Sequence, residues 1–264
     1  MKTQTNKTAL ITGASSGIGQ ELARIHAEQG GDLVIIARRI DNLNELKSEL
    51  ENNHGINVMV IAKDLAQPSA AAAIYDEVKQ AGIAVNYLIN NAGFGGRGKF
   101  HERAWEKDLA MINLNVVALT ALTRFFLPDF VQRNEGRILN VSSTASLLAG
   151  PLQAVYYATK AFVTSFSNAI DEELHDTNIT VTALLPGATE TEFANTSGMD
   201  KTDMFANTFS ARTVAEEGYN GMLEGKLNVL AGVTLGQRML MSAIPVLPKK
   251  MMLKQVREMQ EVAA

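Results

Sequence analysis

What most limits the folds open to this chain is an alternation that runs its whole length: a short apolar run, a turn, then a helical pattern. Thr8 to Ile11, Leu33 to Ala37, Val58 to Ala62, Tyr87 to Ile89, Ile138 to Val141, Val181 to Leu185 and Asn228 to Ala231 read as strands. Runs such as LVIIA are apolar throughout, as expected of parallel strands covered on both faces. Between them lie helical patterns at Gln20 to Gln29, Ile40 to Asn53, Ala70 to Ala81, Trp105 to Arg133, Ala154 to Asp176 and Val214 to Leu223. In the second of these, Leu43, Leu46 and Leu50 recur at helical spacing. Pro128 falls late in the Trp105 to Arg133 helix and marks a bend or break. The connections are too short to hold an independent domain. The order predicts an α/β fold: one doubly wound parallel sheet of about seven strands with helices on both faces, spanning 1–264. Residues 232–264 form a C-terminal helical tail.

Composition narrows the function. With 46% hydrophobic residues over 264 positions the chain can build a large core, and a net charge of −4 offers no basic field for nucleic acid. The sequence has no cysteine, which rules out disulfides and thiolate chemistry. His26, His54, His101 and His175 lack metal-ligand spacing, so no metal is expected and each is read as solvated or partly buried. Met1 to Thr8 is polar and runs straight into a strand, and no apolar stretch reaches the roughly 18 residues of a membrane span. The expectation is a cytoplasmic protein.

The first strand ends in TGASSGIG, Thr12 to Gly19, which opens a helix. Glycine there lets backbone approach a ligand closely, and a helix N-terminus offers free N–H groups to phosphate. The spacing of Gly13, Gly17 and Gly19 is G-x-x-x-G-x-G. A Rossmann-type dinucleotide site commonly places an acid at the end of the next strand. Here Ala37 is followed by Arg38 and Arg39, whose planar forks suit the 2′-phosphate of NADP(H).

A second constellation lies between Leu139 and Val163. Ser142 and Ser143 follow a strand, and Tyr156 and Lys160 stand one turn apart on a predicted helix. Open α/β sheets bind ligands beyond their strands' carboxyl ends, so hydroxyl, phenol and ammonium converge there as a proton-transfer site.

TGASSGIG, NNAG at Asn90, Ser143, Tyr156-x-x-x-Lys160 and Pro186-Gly187 occur in this order, and together they resemble the short-chain dehydrogenase/reductase family. The resemblance selects Ser143 over Ser142 and Tyr156 over Tyr157. It implies that Tyr156 exchanges a proton with a carbonyl or alcohol oxygen, and that Ser143 hydrogen-bonds that oxygen. Lys160 is implied to make the phenol more acidic, from an ordinary value of about 10, and to bond the nicotinamide ribose. Asn115 matches the asparagine that holds a relay water, with Asn113 as competitor. Ser15, Ser16 and Ile18 in the glycine turn, Asp64 and Leu65, Asn91, Ala92 and Gly93, and Pro186, Gly187 and Thr191 match the cofactor contacts. The implied activity is NADP(H)-dependent interconversion of a carbonyl and a secondary alcohol, in a homo-oligomer built through the two long helices. A reading from another class is a nucleotide-binding sensor or scaffold that does no chemistry.

Substrate contacts are expected from Phe94 to Lys99, Leu147 to Gln153 and Thr189 to Phe209. Leu147, Leu148, Leu152, Phe193, Met199, Met204, Phe205 and Phe209 there predict an apolar pocket for a small carbonyl or alcohol. The tail carries Lys249, Lys250, Lys254 and Arg257 beside Met252, Leu253, Val256 and Met259, a basic amphipathic helix after two prolines. It suits subunit or cleft packing, or peripheral contact with an anionic membrane, and resembles a bacterial-type subgroup of the family.

Overall fold

The computed structural model describes residues 7–200, 202, 205, 208–244 and 247–261. Seven parallel strands form the main sheet: β1 (Thr8–Thr12), β2 (Leu33–Ala37), β3 (Val58–Ala62), β4 (Val85–Asn90), β5 (Gly136–Val141), β6 (Ile179–Pro186) and, after two short ones, β9 (Asn228–Ala231). Their order is β3-β2-β1-β4-β5-β6-β9. β7 (Thr189–Glu190) and β8 (Phe209–Ser210) pair separately, in the stretch where the sequence shows no clear period.

Side chains of a strand alternate between faces, and the core divides accordingly. Ile11, Leu33, Ile35 and Leu139 meet α1 (Gly17–Glu28), α2 (Ile40–His54) and α8 (Ala211–Leu223) on one side. Leu10, Val34, Ile36 and Ile138 meet α3 (Ala70–Gln80), α5 (Leu119–Arg133) and the end of α6 (Ala154–Glu173) on the other. All five residues of β2 are buried, which is why its sequence never alternates. The strand order reverses between β1 and β4, and that switch opens a crevice above the sheet.

The helix from Trp105 differs from the expectation in three respects. α4 (Trp105–Ile112) passes through a π-helical segment, Asn113–Ala118, before α5, so the irregularity lies well before Pro128. Pro128 does not end α5, because Leu122, Phe126 and Phe130 anchor it on the sheet on both sides of the proline. By length and composition Trp105–Arg133 is also apolar enough to cross a membrane, contrary to the sequence reading, although 39% of its most apolar window is buried inside the fold. Trp105, Val117, Phe125 and Val131 remain exposed on its outer side.

The tail forms two helices, α9 (Leu235–Ala243) and α10 (Lys249–Gln260). α10 lies over the site end of α6, with Val256 buried against Tyr156, Tyr157 and Met111. His26 is wholly buried rather than solvated or partly so: it bonds the Tyr219 hydroxyl at 2.7 Å and the Lys7 carbonyl at 2.9 Å.

Candidate active site

The glycine turn sits at the crevice because β1 ends there and α1 begins at Gly17. Gly13 (φ 68°) and Gly17 (φ 56°) adopt the left-handed region that favours glycine. Gly19 lies behind the turn, and a β-carbon there would meet the Asn91 amide and the Gly13 carbonyl, each at 2.4 Å. Ser16 makes no side-chain cap, which leaves the first N–H groups of α1 for a ligand. Asn91 holds the turn from β4 by donating its amide to the Thr12 carbonyl at 2.9 Å. Thr12 Oγ1 accepts from the Asn91 and Ala92 N–H groups, each at 3.0 Å, a role invisible in the sequence.

Arg39 folds over the turn, donating to Ser15 Oγ at 3.1 Å and Ser16 Oγ at 2.8 Å, and it pairs with Glu192 at 3.0 Å. This guanidinium holds the Glu192 carboxyl below its ordinary range. Arg38 stands beside it with no partner among the described residues. Asp64 caps the turn after β3 by accepting from the Ala66 N–H at 3.1 Å.

Ser143 follows β5 and starts a short turn in which its hydroxyl oxygen accepts from the Ala145 N–H at 3.1 Å. That bond orients the side chain and leaves its O–H to donate. The Ser143 hydroxyl neighbours the Tyr156 phenol. The neighbouring candidates are committed elsewhere: Ser142 donates to the Lys160 carbonyl at 2.9 Å, and the Tyr157 hydroxyl accepts from Gln260 at 2.9 Å.

Lys160 donates to the Val141 carbonyl at 2.7 Å, and its Nζ lies 5.9 Å from the centre of the Tyr156 ring. Burial pushes the phenol of Tyr156 well above its ordinary range, partly offset by the neighbouring Ser143 hydroxyl. Burial lowers Lys160 to about 8. In the protein alone burial, and not the ammonium, dominates the phenol. Both side chains are largely buried, which penalises each one's charged form, and the lysine's contact is to a backbone carbonyl.

The π segment brings Asn115 inward. It accepts from the Phe94 N–H at 3.1 Å and donates to the Phe94 carbonyl at 3.0 Å and Thr159 Oγ1 at 3.1 Å. Asn115 is thus buried behind the site, fastening the strand after Gly93, while Asn113 is only partly buried.

One continuous cavity of about 970 Å³ joins the glycine turn to the catalytic candidates. Gly13, Ser15, Ser16, Gly17 and Ile18 form one end, with Arg38, Arg39, Asp64 and Leu65 beside them. Asn91, Ala92 and Gly93 follow, then Ser143, Tyr156 and Lys160, with Pro186, Gly187 and Thr191 opposite. Two expected residues, Gly19 and Asn115, do not reach its wall and act from behind. A glycine cradle that side chains would fill, a free helix end and a flanking arginine fit a dinucleotide phosphate.

These features coincide with a family model described as short chain dehydrogenase, which matches residues 7–202. The chain belongs to that family. It is 34% identical over 193 residues to an NADP-dependent 3-hydroxy acid dehydrogenase of Schizosaccharomyces pombe, covering 71% of this chain and 73% of the relative. It is 33% identical over 196 residues to the human very-long-chain 3-oxoacyl-CoA reductase, covering 70% of this chain but only 60% of that protein. Among solved structures it resembles a short-chain dehydrogenase from Sphingobium yanoikuyae in complex with NADPH. That likeness has a TM-score of 0.82 at 31% identity, and covers 97% of this chain and 98% of the other.

On the substrate side the cavity is lined by Phe94, Leu148, Phe193, Phe205 and Phe209, in line with the expected apolar pocket. Leu147, Leu152 and Met199 do not line it, and Met204 lies outside the described residues. Phe193 packs on Tyr156 with ring centres 5.3 Å apart. The tail completes the wall with Met252, Gln255, Val256 and Met259. Gln153, the last residue of the expected Leu147 to Gln153 segment, also lines it.

Proposed function

We propose that this protein is an NADP(H)-dependent oxidoreductase that interconverts an apolar carbonyl compound and its secondary alcohol, with Tyr156 as general acid and base. The observation carrying this reading is that Ser143, Tyr156 and Lys160 open into the same cavity as the glycine turn. A nicotinamide bound there supplies or accepts the hydride. The first N–H groups of α1 and the glycine turn would hold its diphosphate, and Arg38 its 2′-phosphate. Lys160, beside Gly93 and Val141, would reach its ribose.

The chain's own residues handle the proton. Ser143, its lone pair engaged by Ala145, donates to the substrate oxygen as charge grows on it. Tyr156, kept neutral by burial, carries the proton that oxygen needs. Phe94, Phe193 and the α10 side chains exclude water around it. Asn115 keeps the backbone after Gly93 in place and is the candidate for a relay water. The exposed apolar side chains of α4, α5 and α6, including Leu109, Phe125 and Phe162, are the surface we assign to a homo-oligomer.

Tyr156→Phe tests the reading. The variant should lose roughly a thousandfold in NADPH-dependent carbonyl reduction, within the usual range for a positioned proton donor, while binding NADPH unchanged by fluorescence titration. Undiminished turnover would overturn the assignment. Tight cofactor binding without turnover in the wild type, across a broad carbonyl panel, would favour a nucleotide sensor.

A further inference from the structure

The two helices of the tail each turn one side to the cavity, α9 with Leu240 and Met241, α10 with Met252, Val256 and Met259. Their other sides lie open. Leu235 is 75% exposed and Met239, one turn on, is 69% exposed, and on α10 Met251 and Leu253 are exposed too. Leu240 and Met259 line the cavity and are exposed as well, so the cavity reaches the surface at these helices. Large apolar side chains left open together in one segment mark an interaction surface.

The charge of the same segment is lopsided. Residues 232–264 hold five basic side chains (Arg238, Lys249, Lys250, Lys254 and Arg257) and two acidic ones (Glu258 and Glu261), in a chain whose net charge is −4. Lys250, Lys254 and Arg257 have the i, i+4, i+7 spacing of one helix face, and all three are exposed. Leu253 falls in that strip, three after Lys250 and four before Arg257. Lys254 and Arg257 pair with Glu258 and Glu261 one turn on, at 3.7 and 3.5 Å, in exposed contacts of little worth. Lys249 and Lys250 stand in the first turn of α10, which has no acidic residue and no side-chain cap from Pro248. Two cations at the positive end of a helix dipole are unfavourable on their own. An anionic surface outside relieves that repulsion.

We propose that the outer side of α9 and α10 docks on an anionic lipid bilayer. Leu235, Met239 and Leu253 enter the headgroup boundary, and Lys249, Lys250 and Lys254 lie among the lipid phosphates. Interfacial helices of this kind combine apolar burial with attraction to anionic headgroups. A bilayer matches the surface better than a folded partner does, because its apolar side chains are interspersed with long basic stems instead of forming a dry centre with a polar rim. The apolar side of α4 to α6 is the one assigned above to a second copy. Docking does not depend on the chemistry in the cavity. Given the oxidoreductase reading, on which this consequence rests, it sets the rim formed by Leu240 and Met259 against the phase that dissolves an apolar ketone.

The test is cosedimentation of the protein with sucrose-loaded vesicles, made of equimolar phosphatidylglycerol and phosphatidylcholine or of phosphatidylcholine alone. Expected is binding to the anionic vesicles that high salt reverses, and none to the neutral ones. Replacing both lysines, Lys250→Gln with Lys254→Gln, should weaken binding roughly thirtyfold. The pair Leu235→Ser and Met239→Ser should weaken it roughly tenfold or more. All four side chains are exposed, so both variants should melt at the wild-type temperature. Hydrogen exchange in the wild type should slow in α9 and α10 when anionic vesicles are added, a readout that needs no variant. A wild type that stays in the supernatant, an unchanged affinity in either variant, or slowing confined to other helices overturns the proposal. So does a lipid-free dimer, seen by light scattering, that Leu235→Ser with Met239→Ser dissociates, since the face then belongs to a second copy. If docking holds and no ketone is reduced, only the oxidoreductase reading has failed.

Discussion

Acid should loosen the nucleotide-binding half of the protein, because α1 is pinned by a histidine that cannot take up a proton in place. His26 Nε2 donates to the Lys7 carbonyl, Nδ1 accepts from Tyr219 on α8, and the ring packs against Gly31. A β-carbon on Gly31 would sit 2.2 Å from Nε2. Burial lowers the imidazole from 6.5 to about 4. Between those values the unfolded chain binds the proton and the folded one does not, so stability falls as pH drops from 6.5 towards 4. Each unit is worth about 1.4 kcal/mol, and by pH 4.5 the loss is about 2.5 kcal/mol. The assay is urea unfolding of wild type and His26→Gln at pH 7.5 and 4.5. The carboxylates, whose titration also weakens the fold in acid, are common to both proteins. Wild type should lead at pH 7.5 through its two hydrogen bonds, and about 2.5 kcal/mol of the gap should vanish at pH 4.5. A gap that stays constant between the two pH values refutes the argument. So does an imidazole signal that titrates near 6.5 by NMR in the folded wild type, a measurement that stands even if the variant folds poorly.

Two further outcomes probe the ends of the cavity. Arg38→Asp should cut the preference for NADPH over NADH by roughly ten- to a hundredfold, the worth of one charge-assisted contact to a phosphate. An unchanged ratio, read from the two Kd values, would shift the role to Arg39. Gln260→Ala removes the bond between α10 and the Tyr157 hydroxyl, though the Gln260 carbonyl still accepts from Arg97 at 2.6 Å. Trypsin should then cut after Lys254 and Arg257 roughly tenfold faster, and the ketone KM should rise with NADPH affinity unchanged. Cleavage at the wild-type rate would show that Gln260 does not anchor the helix.

The parts of this molecule legible in the sequence are those that physics makes local. β2 reads as LVIIA because both its faces are covered, and Tyr156 and Lys160 are one turn apart on a single helix. What escaped the reading depends on contacts between distant segments. The π segment that turns Asn115 inward follows from its bonds to Phe94 and Thr159, and the clasp of Arg39 on Glu192 joins residues 153 positions apart. The proton-transfer pair shows the limit most plainly. Spacing alone brings phenol and ammonium together and suggests that the cation acidifies its neighbour. In the fold both are buried, and burial drives the phenol up and the ammonium down. Each shift follows from burial of its own group, and the spacing of the two residues predicts neither. Burial, which depends on the whole fold, decides these shifts, and the sequence interval does not.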